Sequence, residues 1–307
     1  MKIVTVTLCP ATDVHASLPE LRVRSENAAT VISKDAGGKG VNISRALKYN
    51  GTESTALVFV GADNAAPYRQ ALERDGLTCI FSEKPGSIRE NLTLHAKDGS
   101  ETRISFSGFP LDEGVLEEIP ALVKLSPGDI LTFTGKVADG IPMEAVRRFL
   151  SGLRESGVRV VVDSKSFTPE DLLSVVPFLV KPNEEEISAI LRTPVHSFAD
   201  CADGCRSLLH GGIEYVMVSL GSRGAMLCCS AGTFLAQPPR LSAVSTIGAG
   251  DSSIAGFLQA FAEGKDPAEC LRRAVAFGSA ACLRAGTLPP LPQDVAALLG
   301  VIRLSSV

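Results

Sequence analysis

A glycine-rich turn in STIGAGDSS (Ser245–Ser253) leads directly into a helical pattern. The apolar residues after Asp251 follow the i, i+3, i+4, i+7 spacing of an amphipathic helix: Ile254, Phe257, Leu258 and Phe261. Unpaired amides and the positive dipole end make such a helix start an anion site, although the carboxylate beside them would repel an anion. The candidate residues are Gly248, Ala249, Gly250 and Asp251. The alternative is an ordinary helix start that Asp251 caps.

A second glycine-rich turn lies near the N-terminus, in DAGGKGVNISRAL (residues 35–47). Glycines such as Gly38 let a ligand approach the backbone closely. Lys39 supplies positive charge, and the Asn42 amide can both donate and accept hydrogen bonds. This combination suits a polyol or a phosphate, and a flexible turn is the alternative explanation.

The stretch KPNEEE (Lys181–Glu186) contains a candidate metal site. Asn183 and Glu186 have the spacing of a capping box, which satisfies two backbone amides at a helix start. The functional alternative is that the same pair orders water around Mg²⁺, an ion that keeps most of its own waters.

The stretch SLGSRGA (Ser219–Ala225) separates two apolar strand-like runs, YVMV and AMLCC. Its glycines and serines are typical of a plain hairpin turn. The functional interpretation is a nucleotide contact made by the backbone and the serine side chains.

The elements that must position these motifs alternate between β-rich runs and amphipathic helical stretches. The runs rich in Val, Ile and Thr are KIVTVTL, STALVFVG, DILTFTG, VRVVVDS, PFLVKPN and EYVMVSLG. One helical stretch is PMEAVRRFLSGLRESG, with Pro142 placed for its start and Gly157 for its end. This alternation predicts an α/β fold with a mostly parallel central sheet and helices on both faces.

Two stretches interrupt the alternation. Residues 12–35 are polar with short alternations, and residues 87–107 are typical of a β-hairpin that turns at Asp98-Gly99. Together they predict a small antiparallel β lid. With no long linker or repeat, residues 1–307 are expected to form a single domain that carries this lid.

Composition excludes several classes of partner. The 307 residues are 45% hydrophobic with a formal net charge of −4, and no basic run suggests nucleic acid or an anionic membrane surface. No apolar run approaches the roughly 20 residues that span a bilayer, and MKIVTVTLCP predicts a first strand rather than a signal peptide. We therefore expect a soluble, cytoplasmic protein whose eight cysteines are free thiols.

Taken in order, these motifs resemble those of the ribokinase-like carbohydrate kinases, the phosphofructokinase-B family. GGKGVN is similar to the family's N-terminal signature, KPNEEE to its N-x-x-E motif and STIGAGDSSIAGF to its C-terminal signature. The opening TLCPATD, with Asp13 in the sugar-hydroxyl position, and VSLGSRGA look like the branch that acts on phosphosugars. The resemblance covers nearly the whole chain and implies a ribokinase-like fold and a kinase that uses ATP and Mg²⁺.

The resemblance also implies roles for the matching residues. Asp251 would deprotonate the sugar hydroxyl, while the glycine-turn amides bind the charge that develops in phosphoryl transfer. The residues implied in substrate binding are Asp13, Gly38, Lys39, Asn42, Arg89, Arg103 and Lys136. Those implied in nucleotide binding are Lys181, Asn183, Ser219, Gly221, Ser222, Gly224, Gly250 and Ser279, with Asn183 and Glu186 reaching Mg²⁺ through water. Arg89 and Arg103 suit phosphate as bidentate forks, and solvated lid charges are the alternative.

Three positions depart from the family pattern. Lys136, in TGKVADG, replaces a serine that contacts the substrate phosphate in relatives, and it could hold that phosphate or mark a shifted substrate. Cys9 replaces an asparagine. Ser245 stands where many ribokinase relatives place an aspartate near a monovalent-cation site, so K⁺ dependence stays open.

The substrate implied by the resemblance is a ketohexose phosphate, with fructose 1-phosphate first and fructose 1,6-bisphosphate as the product. Tagatose 6-phosphate and fructose 6-phosphate are alternatives, because a furanose ketohexose is nearly symmetric end to end. A nucleoside or unphosphorylated sugar fits less well, since Arg89, Arg103 and Lys136 would face a neutral group. The alternative from another class is a non-catalytic sugar-phosphate sensor. The oligomeric state stays open, and a homodimer through the lid is one possibility that the analogy with the family offers.

Overall fold

β-Branched residues build a 10-stranded sheet through the middle of the molecule. The structure is a computed structural model that describes residues 1–192, 194–195 and 197–307. Its strands are β1 (Ile3–Thr7), β2 (Ala11–Leu18), β3 (Thr30–Gly37), β4 (Thr55–Gly61), β5 (Thr78–Lys84), β6 (Arg89–Ala96), β7 (Glu101–Ser105), β8 (Ile130–Thr134), β9 (Arg159–Asp163), β10 (Leu179–Val180), β11 (Tyr215–Ser219), β12 (Ala225–Cys229), β13 (Gly232–Gln237) and β14 (Arg303–Ser306). Its helices are α1 (Lys39–Tyr49), α2 (Ala65–Arg74), α3 (Gly114–Val123), α4 (Met143–Glu155), α5 (Pro169–Val175), α6 (Glu184–Leu191), α7 (Phe198–His210), α8 (Ala249–Ala262), α9 (Pro267–Ala281) and α10 (Pro292–Leu299).

Most of the large sheet is parallel. Neighbouring strands run parallel in the order β5-β4-β1-β8-β9-β10-β11. Strands β12, β13 and β14 extend one edge in antiparallel pairs. The predicted sheet is confirmed, and each β-rich run named from the sequence contains a strand.

Helices cover both faces of the sheet. Helices α1, α8, α9 and α10 contribute to one buried apolar cluster, and α2 to α7 contribute to the other. The apolar stripe predicted for α8 faces its cluster, where Ile254, Phe257 and Leu258 are fully buried. The expected helices on both faces are therefore confirmed, because a parallel sheet buries apolar side chains on each side.

A second, 4-stranded sheet in the order β3-β2-β6-β7 forms the lid. The hairpins β2–β3 and β6–β7 are antiparallel, and the second turns through Gly99 at a φ of 85°. These features confirm the predicted lid sheet. The two hairpins are joined by a parallel pairing of β2 with β6, which the sequence analysis did not anticipate. Pairing between separate hairpins depends on contacts distant in the chain, which local patterns do not encode.

The carboxyl ends of the central parallel strands place the site. Strands β1, β8 and β9 end at Thr7, Thr134 and Asp163, along one edge of the sheet and beside the lid. In open α/β sheets, ligands bind in the crevice outside these carboxyl ends.

The eight cysteines are free thiols, most of them buried, as expected. In the part of the chain that the structure describes, no helix has the length and hydropathy to cross a membrane.

Candidate active site

A cavity of about 440 Å³ opens between the lid and the carboxyl ends of the central strands. It collects predicted residues that are far apart in the sequence: Asp13, Gly38, Lys39, Asn42, Arg89, Arg103, Lys136, Lys181, Gly248, Gly250 and Asp251. The structure therefore brings the proposed substrate side chains and the glycine turn into one site.

The glycine turn begins α8 with free backbone amides. Gly248 is the N-cap residue and has a φ of 78°, a left-handed value that favours glycine. No acceptor in the described chain contacts the amides of Gly250 and Asp251, both of which line the cavity. The Ala249 amide has one acceptor, the Thr246 carbonyl oxygen at 3.4 Å. Two free amides at a helix start have the geometry of an anion site, which is what the sequence suggested for this turn.

The Asp251 carboxylate does not cap its helix, so the alternative raised from the sequence is wrong on this point. Among the residues that the structure describes, no side chain caps α8, and Asp251 Oδ2 instead accepts a hydrogen bond of 2.8 Å from Asn42 Nδ2. Asp251 is only 6% exposed. Burial raises the pKa of Asp251 to about 6, against the opposing effects of Lys39, Asn42 and Lys181. A carboxylate with this pKa can accept a proton at neutral pH.

Two lysines converge on Asp163, a residue that the sequence analysis missed. Lys39 Nζ lies 2.8 Å from Asp163 Oδ2, and Lys181 Nζ lies 3.6 Å from Asp163 Oδ1. Burial alone would raise the pKa of Asp163, but the Lys181 and Lys39 ammonium groups outweigh burial and hold it below its usual value. Burial opposes the charged form of Lys39, yet Asp163 and then Asp251 raise its pKa. The sequence did contain a signal for Asp163, which directly follows the apolar residues of VRVVVDS. This position is the carboxyl end of a parallel strand, where ligands bind in open α/β sheets.

The lid end of the cavity carries Asp13 and two arginines. Asp13 Oδ1 accepts hydrogen bonds from Asn91 Nδ2 at 2.8 Å and from an Arg103 guanidinium nitrogen at 3.4 Å. The Arg89 guanidinium donates to the Phe106 carbonyl oxygen at 3.1 Å. These contacts leave part of each arginine available to a ligand.

Lys136 lies at the same cavity but is exposed. Its Nζ is 2.7 Å from Asp139 Oδ1, and both side chains are more than half accessible to solvent. An exposed ion pair of this kind contributes little to stability. A phosphate could therefore compete with Asp139 for the Lys136 ammonium group.

The predicted metal pair forms the capping box of α6. The Glu186 amide donates to Asn183 Oδ1 at 2.8 Å, and the Asn183 amide donates to Glu186 Oε2 at 2.9 Å. Neither side chain lines the main cavity. Glu186 lines an adjoining cavity of about 320 Å³, which shares Asp163 and Lys181 with the main one.

The predicted nucleotide loop is a hairpin turn between β11 and β12. Gly221–Arg223 form a 3₁₀ turn, and Gly224 has a φ of 97°. A Cβ on Gly224 would lie 1.9 Å from the Ala236 carbonyl oxygen, so packing against β13 already requires this glycine. The residues predicted to bind nucleotide that do not line the main cavity are Asn183, Ser219, Gly221, Ser222, Gly224 and Ser279. Ser219 and Asn183 are nevertheless joined by a β-bridge.

Several buried polar atoms that line the cavity lack a partner in the described chain. They are Asn42 Oδ1, Arg89 Nε, Asn91 Oδ1, Thr134 Oγ1 and Thr287 Oγ1. Sequence reasoning assigned no role to Asn91, Thr134 or Thr287, because their environment depends on tertiary contacts. Buried polar groups normally have partners, so this set is suited to a ligand rich in hydroxyl and phosphate oxygens.

Comparisons with known proteins agree with this geometry. Residues 3–294 match the model of the pfkB family of carbohydrate kinases. The 1-phosphofructokinase of Bacillus subtilis (strain 168) is 32% identical over 279 residues, covering 91% of each chain. That of Escherichia coli (strain K12) is 30% identical over 282 residues, covering 91% of this chain and 90% of the relative. The crystal structure of phosphofructokinase-2 from Escherichia coli in complex with fructose-6-phosphate is 27% identical with a TM-score of 0.91, covering 97% and 98% of the two chains. The chain belongs to the pfkB family of carbohydrate kinases, and is a phosphotransferase that acts on an alcohol group.

Proposed function

We propose that this protein transfers the γ-phosphoryl group of ATP to fructose 1-phosphate, giving fructose 1,6-bisphosphate. The observation that carries the proposal is the buried Asp251 carboxylate beside two free helix amides, in a cavity with a cationic lid end. The relatives named 1-phosphofructokinase support the choice of acceptor.

The parts of the cavity divide the chemistry between them. Asp251 removes the proton from the attacking sugar hydroxyl, and Asn42 orients the carboxylate through its hydrogen bond. The amides of Gly250 and Asp251 donate to the phosphoryl group in transfer. The carboxylate thus faces the nucleophile while the amides face the developing charge, so the two groups do not oppose each other.

The cavity's charge fits a doubly anionic sugar phosphate. Its cationic side chains are Lys39, Arg89, Arg103, Lys136 and Lys181, and its carboxylates are Asp13, Asp163 and Asp251. Cations therefore exceed carboxylates. We assign the substrate phosphate to Arg89, Arg103 and Lys136, and the sugar hydroxyls to Asp13 and the turn at Gly38.

We assign the nucleotide to the side of the cavity that carries Lys181. The stretch from Ser219 to Gly224, together with Asn183 and Ser279, would hold its base and ribose. When bound, Mg²⁺ would neutralise charge on the phosphates. The carboxylates of Asp163 and Glu186 face the two adjoining cavities and suit this hard cation, reached through water. Asn183 Oδ1 is less suited, because it already accepts from the Glu186 amide.

We assign no residue to K⁺. Ser245 provides no carboxylate, and its hydroxyl accepts a hydrogen bond of 3.2 Å from the Ile247 amide. The monovalent cation considered from the sequence therefore has no charged ligand at this position.

Fructose 6-phosphate is the second candidate acceptor, since a structural neighbour is named as a complex with it. Tagatose 6-phosphate belongs to the same class. A pocket that holds the phosphate can present either end of a furanose ketohexose to one base. Lys136, at the usual serine position, is the first residue to examine if a 6-phosphate is preferred.

The test is an ATP–Mg²⁺ phosphorylation assay across fructose 1-phosphate, fructose 6-phosphate, tagatose 6-phosphate and fructose, with an Asp251→Asn preparation as the control for contaminating kinases. We expect the highest kcat/KM with fructose 1-phosphate. A preference for a 6-phosphate would overturn the acceptor and keep the mechanism. Binding of sugar phosphates without turnover would favour the sensor alternative.

We further propose that residues 12–35 and 87–107 close over the bound sugar as a lid on a single domain. Closure would exclude water and limit hydrolysis of ATP. Exposed apolar residues of the lid sheet support a homodimer through this sheet: Val31, Ile32 and Ile104.

A further inference from the structure

A tight turn after α9 brings a hydroxyl without an assigned role to the cavity wall. The Leu288 amide donates to the Ala285 carbonyl oxygen at 3.3 Å, which closes a turn with Gly286 and Thr287 at its centre. Gly286 has a φ of 58°, which glycine adopts without strain. The Thr287 side chain lines the cavity and is 7% exposed.

This turn lies between lid strand β2 and the start of α8. A Cβ built on Gly286 would lie 2.9 Å from His15 Nε2, on lid strand β2. A Cβ built on Gly248 would lie 3.7 Å from Thr287 Cα and 3.9 Å from Thr287 Cγ2. Thr287 therefore lies beside Gly248, the N-cap residue of α8, close enough to contact a side chain there.

Thr287 Oγ1 has no hydrogen-bond partner in the ranges that the structure describes. Leaving a buried hydroxyl without a partner costs free energy, and a ligand oxygen would remove that cost. The two free amides of Gly250 and Asp251 can donate two hydrogen bonds. A phosphoryl group in transfer spreads its charge over three equatorial oxygens, so one oxygen lacks a donor from the turn.

We propose that Thr287 is a further catalytic residue, whose hydroxyl donates the third hydrogen bond to the phosphoryl group in transfer. This inference rests on the proposed phosphotransfer function and adds a donor to the same site. The hydroxyl keeps its proton throughout, and no covalent bond to Thr287 forms. Because the charge it meets develops during transfer, its contribution falls mainly on kcat rather than on sugar binding.

The test compares Thr287→Val, which removes the hydroxyl at similar volume, with Thr287→Ser, which keeps it. Thr287→Val should lower kcat by ~10- to 100-fold, the loss of one hydrogen bond to a charged group, with an unchanged KM for the sugar phosphate. Thr287→Ser should retain most of the wild-type kcat. The matched control is Thr132→Val, since Thr132 Oγ1 is also buried without a partner but lies outside the cavity. This control should leave kcat unchanged.

Three kinetic results would overturn the proposal. They are a Thr287→Val enzyme with wild-type kcat, a Thr287→Ser enzyme as slow as Thr287→Val, and a loss that appears only in KM for the sugar phosphate. Thermal unfolding of each variant shows whether a loss of kcat reflects a loss of folded protein.

Binding of ADP, Mg²⁺ and aluminium fluoride, measured by calorimetry without sugar, tests Thr287 independently of the acceptor. Thr287→Val should weaken this complex by ~10-fold while leaving the affinity for ADP and Mg²⁺ alone unchanged. Equal binding of the fluoride complex by both proteins would overturn the proposal. If the wild-type protein phosphorylated no sugar, the proposed function would fail, and this comparison would still decide the role of Thr287.

Discussion

At the scale of single residues, Asp251 shows how a useful chemical group opposes stability. Burial raises its pKa to about 6, near the range where a general base works best. The same burial makes the ionised side chain less stable in the folded protein than in water. Asn42 and the neighbouring lysines offset only part of this cost.

Replacing Asp251 with asparagine should remove the base without changing the volume of the side chain. We expect kcat to fall by ~10²- to 10⁴-fold, the usual contribution of general-base catalysis. Steady-state kinetics with the acceptor sugar phosphate measures the change. The matched control is Asp294→Asn, which also stands in the first turn of a helix, α10, but outside the cavity. Similar kcat values for the two variants would contradict the role of Asp251.

The same Asp251→Asn change should stabilise the protein at alkaline pH. The folded-state pKa of about 6 lies above the ordinary 3.8, so the folded protein binds this proton more tightly than the unfolded chain. The stability that this group contributes is therefore lost as the pH rises from 3.8 to about 6. Above about pH 6, the full free-energy cost of burying the ionised carboxylate is present. A pKa raised this far corresponds to ~3 kcal/mol.

Urea unfolding at pH 8 and pH 5 measures this effect. We expect Asp251→Asn to raise the free energy of unfolding by ~1–3 kcal/mol at pH 8 and by less at pH 5. A gain that did not depend on pH would mean that the effect comes from the shape of the amide rather than from the charge.

At the scale of elements, strands β2 and β3 approach closely to position Asp13. A Cβ built on Gly37 would lie 2.2 Å from Asp13 Oδ2. Asn91 on β6 holds the other carboxylate oxygen at 2.8 Å. The lid sheet thus packs closely around a side chain that we propose binds a sugar hydroxyl.

Replacing Gly37 with alanine should displace Asp13 while leaving the nucleotide side intact. We expect KM for the sugar phosphate to rise by ~10-fold or more, since small misplacements of positioning groups are costly, with little change in KM for ATP. Gly152→Ala on α4 is the control, because a Cβ there meets nothing within 4 Å. An unchanged KM for the sugar phosphate would show that Asp13 does not hold the acceptor.

At the scale of the whole molecule, the lid has one polar and one apolar face. Arg103 points towards the cavity, and strand alternation turns the next residue, Ile104, to the outer face, where it is 42% exposed. Val31 is 54% exposed and belongs to the neighbouring hairpin. Such a surface is suited to a second copy of the same sheet.

Placing a charge on this face should break the proposed dimer. Ile104→Glu is expected to sediment as a monomer at concentrations where the wild-type protein is dimeric, because burying the carboxylate is costly. Sedimentation equilibrium makes the measurement, with Val301→Glu, an exposed apolar position after α10, as the control. A monomeric wild-type protein, or a dimeric Ile104→Glu variant, would contradict the proposal.

The sequence by itself determined features that depend on neighbours along the chain. Turn glycines, helix caps and runs of β-branched residues act over a few residues. The start of α8 at Gly248, the hairpin at Gly99 and the strands of the parallel sheet were therefore predictable. The capping box at Asn183 was also foreseen as one of two alternatives.

Only the tertiary structure decided which side chains meet. Asn42 contacts a carboxylate 209 residues away, and Lys39 pairs with Asp163 at a separation of 124 residues. The parallel pairing of β2 with β6 and the position of Thr287 beside Gly248 also bring together residues that are distant in the sequence. Such contacts are fixed when apolar faces pack and strands pair across the whole chain, so the polar atoms they bring together have no local signature.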